Sequence, residues 1–345
     1  MQSAQRIHIL GIGNLGRFIA HAVRKSHPQT PITLLFHRPS LVEEWNKAGR
    51  CIEIVRNGVT DRQSGFDYEL VSEGSDDIEN LIVTTKTYTT VPALQTLQHR
   101  LFTSSTLIFF QNGMRTVDEV NSTLSQHPGS RPHYLIGILS HGIYTTGTFS
   151  AVHAGLGTTL IGSVASLSQS HEKETAFLTN QILESPLLFP SLLAPSEILE
   201  AQLQKLAINA IINPVTAVFD CYNGEVFSTG RRPLVMALLS EFSAVTQAIL
   251  RSENKDASQD SLDKLSVDKL EDFVSSVSEK TAKNISSMRQ DVRAGRKTEI
   301  DYINGYLVDR GTNFGIGCPL HSKLIELVKG STVISESDIP DFFGI

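Results

Sequence analysis

The stretch Arg6-Ile-His-Ile-Leu-Gly11-Ile-Gly13-Asn-Leu-Gly16 restricts the possible folds of this chain more than any other. Ile7–Leu10 reads as a short buried strand and the glycines as a tight turn, with Phe18, Ile19 and Val23 following at helical spacing. A GxGxxG between strand and helix has a steric and an electrostatic reason. Gly11 permits the turn, Gly13 lets a pyrophosphate approach the backbone, and Gly16 lets helix and strand pack closely. The free N–H groups at the helix start then hold the anion. A merely tight strand-to-helix turn would use the same glycines, so the segments that follow must separate the two accounts.

The next strand, Ile32–Phe36, ends in His37-Arg38-Pro39-Ser40. An NAD-preferring fold places an Asp or Glu at this strand end to bind the ribose hydroxyls. Here Arg38 stands instead, and a guanidinium grips a 2′-phosphate that an acid would repel. The expected cofactor is therefore NADP(H), the alternative being a solvated surface arginine. From Leu41 to Glu79 the pattern gives a helical piece over Val42–Ala48, then short strands broken by Gly58, Gly65 and Gly74. Leu81–Lys86 is another buried strand, with Lys86 at the carboxyl end where ligands of such sheets sit. A lone lysine there can equally be solvated. Thr106–Phe110 delivers Gln111, Asn112, Gly113 and Met114 to the same edge, although Asn-Gly is also a turn signature. Tyr134–Gly142 and Val152–Gly162 read as closing strands, and Ser163–Glu172 as a polar loop. The helix-strand alternation predicts an α/β, Rossmann-type doubly wound sheet over residues 1–195.

Residues 196–345 show long helical patterns without clear strands, which predicts an all-α second domain. Its central run is Lys205-Leu-Ala-Ile-Asn209-Ala-Ile-Ile-Asn213-Pro214. On a helix, Lys205, Asn209 and Asn213 stack on one face, while every other position is apolar. Such a helix is expected to be buried nearly all round. A buried ammonium and two carboxamides then need polar partners, and a polar ligand along the stripe is the simplest. A narrow solvated stripe on a core helix is the alternative. Ser252–Ser278 is rich in Ser, Asp and Lys, with a weakly amphipathic piece over Leu262–Val277, and reads as a surface excursion without chemistry. Beyond it, Asn284 and Ser287 share one face of a helical segment ending near Gly295. Lys297 or Thr298 starts the next helix, with Glu299 and Asp301 in its first turn, where acids suit the helix dipole.

The 345 residues suffice for two cores, and the net charge of −6 is spread along the chain. That argues against a nucleic-acid or anionic-membrane partner. Cys51, Cys221 and Cys318 are an odd number without metal-ligand spacing, so reduced intracellular thiols and no metal are expected. No apolar run looks long enough to span a bilayer. The first strand begins too early for a targeting peptide. A cytoplasmic location follows as the default.

These segments together resemble the ketopantoate reductase (2-dehydropantoate 2-reductase) family. The resemblance rests on GIGNLG at Gly11–Gly16, QNG at Gln111–Gly113, the K-x-x-x-N-x-x-x-N-P run from Lys205, SSM at Ser286–Met288 and TEIDYINGY at Thr298–Tyr306. It implies an N-terminal NADPH-binding domain, a helical C-terminal domain of the 6-phosphogluconate-dehydrogenase type, and an active site in the cleft between them. Lys205 matches the family's catalytic lysine, and Glu299 the glutamate near the reacting centre and cofactor. Gly11, Ile12, Gly13, Asn14, Leu15, Gly16, Arg38 and Lys86 match cofactor contacts. Asn112 matches the residue touching cofactor and substrate. Asn209, Asn213, Asn223, Asn284 and Ser287 match substrate-binding positions. The chain departs from the family at Leu203 (often Trp), Thr89 (usually Gln) and His321 in Pro319-Leu320-His321 (P-x-N). Its polar segment after Arg251 is also longer.

The implied reaction is hydride transfer from NADPH to ketopantoate in pantothenate and coenzyme A biosynthesis, with the Lys205 ammonium giving the alkoxide its proton. Burial suits lysine to this by lowering its pKa. The expected partner is a small 2-oxo acid, and a homodimer is compatible with the sequence. Two alternatives are a reductase of another 2-oxo acid or ketone on this scaffold and a non-catalytic NADPH-binding regulator.

Overall fold

A computed structural model of the chain describes residues 5–124, 131–164, 169–254 and 257–345, with the backbone alone for 169–174. The chain divides into two compact units. The first holds residues 1–111 and 116–198, the second Asn112–Arg115 and Leu199–Ile345.

The first unit is built on twelve strands. They are β1 (Ile7–Leu10), β2 (Ile32–Phe36), β3 (Ile52–Arg56), β4 (Val59–Gln63), β5 (Asp67–Leu70) and β6 (Asn80–Val83), then β7 (Thr106–Phe109), β8 (His133–Leu139), β9 (Gly142–Gly147), β10 (Ser150–Gly155), β11 (Thr159–Ser163) and β12 (Pro190–Leu192). Five helices accompany them: α1 (Asn14–Ser26), α2 (Ser40–Lys47), α3 (Thr87–Leu97), α4 (Thr116–Leu124) and α5 (Gln169–Leu183). Eight strands form one sheet in the order β12-β11-β8-β7-β6-β1-β2-β5. The run from β8 to β5 is parallel, and β11 lies antiparallel to β8. Strands β1, β2, β6 and β7 are buried at every position, as unbroken apolar runs covered on both faces must be. β1 pairs with β2 on one side and β6 on the other. The connection order therefore reverses at β1, and a crevice opens beyond the strands' carboxyl ends.

A second sheet, β4-β3-β10-β9, was not expected. Its first hairpin turns at Asn57-Gly58, with φ of +51° and +75°, the turn that matches strand twist. Val152–Gly162 is consequently not one strand. β10 ends at Gly155, and Gly157 passes so close to Ser140 that a Cβ would lie 2.4 Å from its carbonyl carbon. The chain then resumes as β11 in the other sheet. Of the expected loop Ser163–Glu172, Ser163 closes β11, residues 165–168 lie outside the described residues, and α5 begins at Gln169.

The remaining elements are helical: α6 (Pro195–Val218), α7 (Arg232–Glu253), α8 (Gln259–Asp263), α9 (Val267–Lys280), α10 (Ser287–Arg293), α11 (Ile300–Asn313), α12 (Pro319–Lys329) and α13 (Ile339–Phe343). No strand occurs among the described residues beyond β12. α7 is long and apolar enough to cross a membrane, which the expectation of no such run did not allow for. Glu241 and Arg251 interrupt it in the sequence. Its apolar side, from Leu234 through Phe242 to Leu250, is fully buried in the helical core. The Glu241 carboxylate accepts from the N–H groups of Leu320 and His321 at the start of α12.

The polar segment 252–278 also differs from expectation. Residues 255–256 lie outside the described residues, but Leu265, Leu270 and Val274 are fully buried and belong to the core. Leu270 and Val274 form an apolar stripe on α9 beneath a polar exterior, with Leu265 just before the helix.

Pro214 lies inside α6 and cannot donate a hydrogen bond to the carbonyl of Ala210, four residues back. That carbonyl is buried and needs another donor. Asn304 of α11 supplies it, with Nδ2 at 2.9 Å, and also donates to His321 Nδ1 at 2.8 Å. His321 Nε2 in turn donates to the Leu238 carbonyl at 3.0 Å. Burial lowers the His321 pKa to about 4, so the ring is neutral and can accept from Asn304. The departure at His321 thus falls on a core residue that ties α6, α7, α11 and α12 together. Replacing Asn304 by Ala should cost roughly 2–4 kcal/mol, because two buried acceptors lose their donor. Urea unfolding with an unchanged midpoint would contradict this.

Candidate active site

The sheet unit carries one group of candidate residues, at the turn from β1 into α1. Gly11 has φ of +98°, and a Cβ there would sit 2.6 Å from the Thr85 nitrogen. A Cβ on Gly16 would lie 2.1 Å from the Gly11 carbonyl oxygen. Both glycines are required by packing. Gly13 differs: its φ is −80°, it is exposed, and a Cβ there would meet nothing within 4 Å. The fold does not need a glycine at this position, whereas an anion approaching the backbone does. Gly13 caps α1 without any side-chain hydrogen bond, and no acid stands in the first turn. The leading N–H groups of Asn14 and Leu15 therefore face no negative side chain of that turn, the condition for holding a phosphate. Thr84 Oγ1 donates to the Gly11 carbonyl at 2.5 Å, fixing the turn to the end of β6.

Arg17, which the sequence did not single out, secures the turn from the other side. Its guanidinium donates to the carbonyls of Ile12 (3.1 Å) and Gly147 (3.0 Å) and to Thr145 Oγ1 (3.2 Å). Two of these partners lie some 130 residues away, so local sequence carries no signal for it. Arg38 is exposed at the end of β2, with no acid at the strand end itself, and its Nη2 pairs with Glu44 Oε1 at 3.2 Å. Lys86 is half-buried and extended just before α3. Thr89, one of the departures, is exposed and donates to the Lys86 carbonyl at 2.9 Å. Gln111 donates to the hydroxyls of Thr90 and Thr85.

A separate group of candidate residues lies on the helical unit. α6 is buried at most positions from Leu203 to Val218, with Gln204, Lys205 and Ile208 partly exposed. Leu203, another departure, is a fully buried core residue. Lys205, Asn209 and Asn213 fall on one face of α6, as their spacing predicts. Burial alone lowers the Lys205 pKa to about 8. Within its own unit no described residue hydrogen-bonds or ion-pairs with the amine. Asn213 Nδ2 donates to Asn209 Oδ1 at 3.3 Å, while the buried Asn209 Nδ2 has no partner among the described residues. Glu299 is buried, and Asn112 Nδ2 reaches its Oε2 at 3.4 Å. The Met114 N–H donates to the Tyr302 carbonyl at 2.9 Å, which holds the Asn112–Arg115 segment on α11. Gly113 permits this close approach: its φ is +82°, and a Cβ would lie 2.5 Å from the Tyr302 oxygen. Glu299 stands at the N-cap of α11 and Asp301 in the first turn.

Asn284 and Ser287 do not share a helical face, contrary to their i, i+3 spacing. Ser286 is in extended conformation, its Oγ accepts from the Arg289 N–H, and α10 begins only at Ser287. Asn284 precedes the helix, and both residues are exposed. Thr216 Oγ1 donates to Ser286 Oγ at 2.6 Å, joining this cap to α6. Asn223 is buried. Its N–H donates to the Asn284 carbonyl, its Nδ2 donates to Thr281 Oγ1 at 3.0 Å, and its carbonyl accepts from Ser278 Oγ at 2.6 Å. Asn223 Oδ1 has no partner among the described residues. The segment read as lacking chemistry, α9 and its exit, thus orients a candidate site residue. Among the described residues no cluster of His, Cys, Asp and Glu could hold a metal ion, and all three cysteines are free.

A glycine turn at the switch point of a mainly parallel sheet, followed by a helical unit with a partly buried lysine, defines a two-unit Rossmann-type oxidoreductase. The family described as "Ketopantoate reductase PanE/ApbA" matches residues 7–166, and "Ketopantoate reductase PanE/ApbA C terminal" matches residues 197–332. The chain belongs to the ketopantoate reductase family. It is 33% identical to a 2-dehydropantoate 2-reductase of Vibrio cholerae serotype O1, over 72% of this chain and 76% of that protein. It is 26% identical to a ketoisovalerate reductase of Beauveria bassiana, over 98% of this chain and 86% of that one. In fold it is similar to D-mandelate dehydrogenase solved with NADH and anilino(oxo)acetate. There the TM-score is 0.78 and the identity 20%, over 97% and 99% of the two chains.

Because Gly13 has an unstrained backbone and open space around it, Gly13→Ala should fold with its melting temperature unchanged. The added methyl group should nonetheless weaken dinucleotide binding by about tenfold, ~1.4 kcal/mol, through loss of close backbone approach. Calorimetric titration beside a thermal melt checks both halves, and retained affinity would show that the turn holds no phosphate.

Proposed function

We propose that the chain is an NADPH-dependent reductase of a 2-oxo acid, with 2-dehydropantoate as the substrate and pantoate as the product. This would place it in pantothenate and coenzyme A biosynthesis. The observation that carries the reading is Lys205, an amine on a buried helix with its pKa lowered to about 8 and two carboxamides on the same face. The bound nicotinamide supplies the hydride. Everything else falls to the chain. Gly11–Gly16 and the start of α1 hold the pyrophosphate, Arg38 the 2′-phosphate, and Lys86 the ribose or a phosphate. The Lys205 ammonium stabilises the oxygen that gains negative charge and gives it a proton. Glu299 and Asn112, already hydrogen-bonded to each other, orient the substrate. Asn209, Asn213, Asn223, Asn284 and Ser287 offer donors and acceptors to the carboxylate, ketone and hydroxyl.

The relative named for ketoisovalerate supports a second reading, in which the preferred acid lacks the hydroxyl group. Asn223 favours the first. Its buried Oδ1 lacks a donor among the described residues, which a substrate hydroxyl supplies and an aliphatic side chain does not.

Lys205→Ala should lower kcat by roughly 100- to 10,000-fold, the range for loss of a general acid, and spare NADPH binding. Reduction needs the ammonium form, present below its pKa, so wild-type kcat should fall as pH rises through about 8. A pH profile of NADPH oxidation without that limb would remove Lys205 from the reaction. Asn223→Ala should lower kcat/KM for ketopantoate about 10- to 100-fold more than for ketoisovalerate. Equal losses on the two acids would mean that Asn223 does not read the hydroxyl.

A further inference from the structure

Arg38 is the group on which a preference for the 2′-phosphate rests, and it is not free. Its Nη2 lies 3.2 Å from Glu44 Oε1, with Glu44 on the second turn of α2 and both side chains open to solvent. The Glu44 carboxylate also lies within electrostatic reach of Arg17, whose guanidinium is anchored to the Ile12 carbonyl in the glycine turn. Glu44 therefore acts on both guanidiniums, Arg38 by contact and Arg17 through its charge. His37 adds no positive charge at neutral pH, because burial and the neighbouring Arg38 both lower its pKa. A 2′-phosphate approaching Arg38 meets a carboxylate that already occupies part of the guanidinium and repels the phosphate's own charge. An uncharged 2′-hydroxyl experiences neither effect.

From this geometry we infer that Glu44 sets the preference between phosphorylated and unphosphorylated nicotinamide dinucleotides by competing with the 2′-phosphate for Arg38. The inference rests on the reading of this crevice as a dinucleotide site. Glu44 weakens the binding of NADPH and leaves that of NADH nearly untouched, which brings the two affinities closer together. An exposed ion pair is weak and screened by salt, so the competition is modest and greatest at low ionic strength.

The experiment is titration of NADPH and NADH into wild-type, Glu44→Gln and Arg38→Ala protein at low and high NaCl. Glu44→Gln keeps the shape and hydrogen-bonding reach of the side chain and removes only its charge. It should tighten NADPH about 3- to 5-fold at low salt, leave NADH within about twofold, and lose most of the gain at high salt. NADPH affinity that is unchanged or weaker in Glu44→Gln overturns the inference. Arg38→Ala separates this from failure of the underlying reading. If it abolishes the NADPH preference while Glu44→Gln does nothing, only the role of Glu44 fails. If it leaves the ratio of the two affinities unchanged, Arg38 holds no 2′-phosphate and both fail.

Discussion

The hydrogen bond from Asn304 to the Ala210 carbonyl is the interaction on which the helical unit depends. α6 carries a proline inside a buried segment, and the carbonyl it leaves open must be satisfied by another element. Satisfying it fixes α11 beside α6, and His321 extends the tie to α7 and α12. Lys205, Asn209 and Asn213 on α6 and Glu299 at the head of α11 are held by the same frame. A lysine can be kept partly dehydrated, with its pKa lowered, only on a support that does not relax to solvate it.

The two units contribute different kinds of chemistry. The sheet unit offers backbone donors and guanidiniums arranged around a glycine turn, a surface that recognises phosphates through charge and close approach. The helical unit offers an amine, a carboxylate and several carboxamides, which suit a small polar acid. Side chains outside the matching motifs carry much of the geometry. Arg17 and Thr84 brace the turn, Thr216 and Ser286 join α10 to α6, and Gly113 lets Asn112 lie beside Glu299.

Much of this was legible in the sequence because it is periodic or local. The glycine turn, the buried central strands and the polar stripe of α6 each follow from spacing over fewer than a dozen residues. What was not legible depends on residues far apart. The second sheet pairs β3 with β10, about a hundred residues on, so Val152–Gly162 reads as one strand until Gly157 is seen against Ser140. The helical face expected for Asn284 and Ser287 fails because Ser286 caps α10, a competition between side chain and backbone that spacing does not resolve. The apolar stripe of α9, Leu270 and Val274, with Leu265 just before it, was present, but serine and acidic neighbours masked it.

α9 has a consequence for how such an enzyme diverges. Ser278 and Thr281 grip Asn223 from behind, and Gly224 lies so close to Ala282 that a methyl group on it would come within 2.5 Å of that residue's own. Changes in the length or pitch of this helix are therefore felt at Asn223. With Asn223 reading the acid, as proposed, a lineage would retune its substrate through residues that do not themselves touch it.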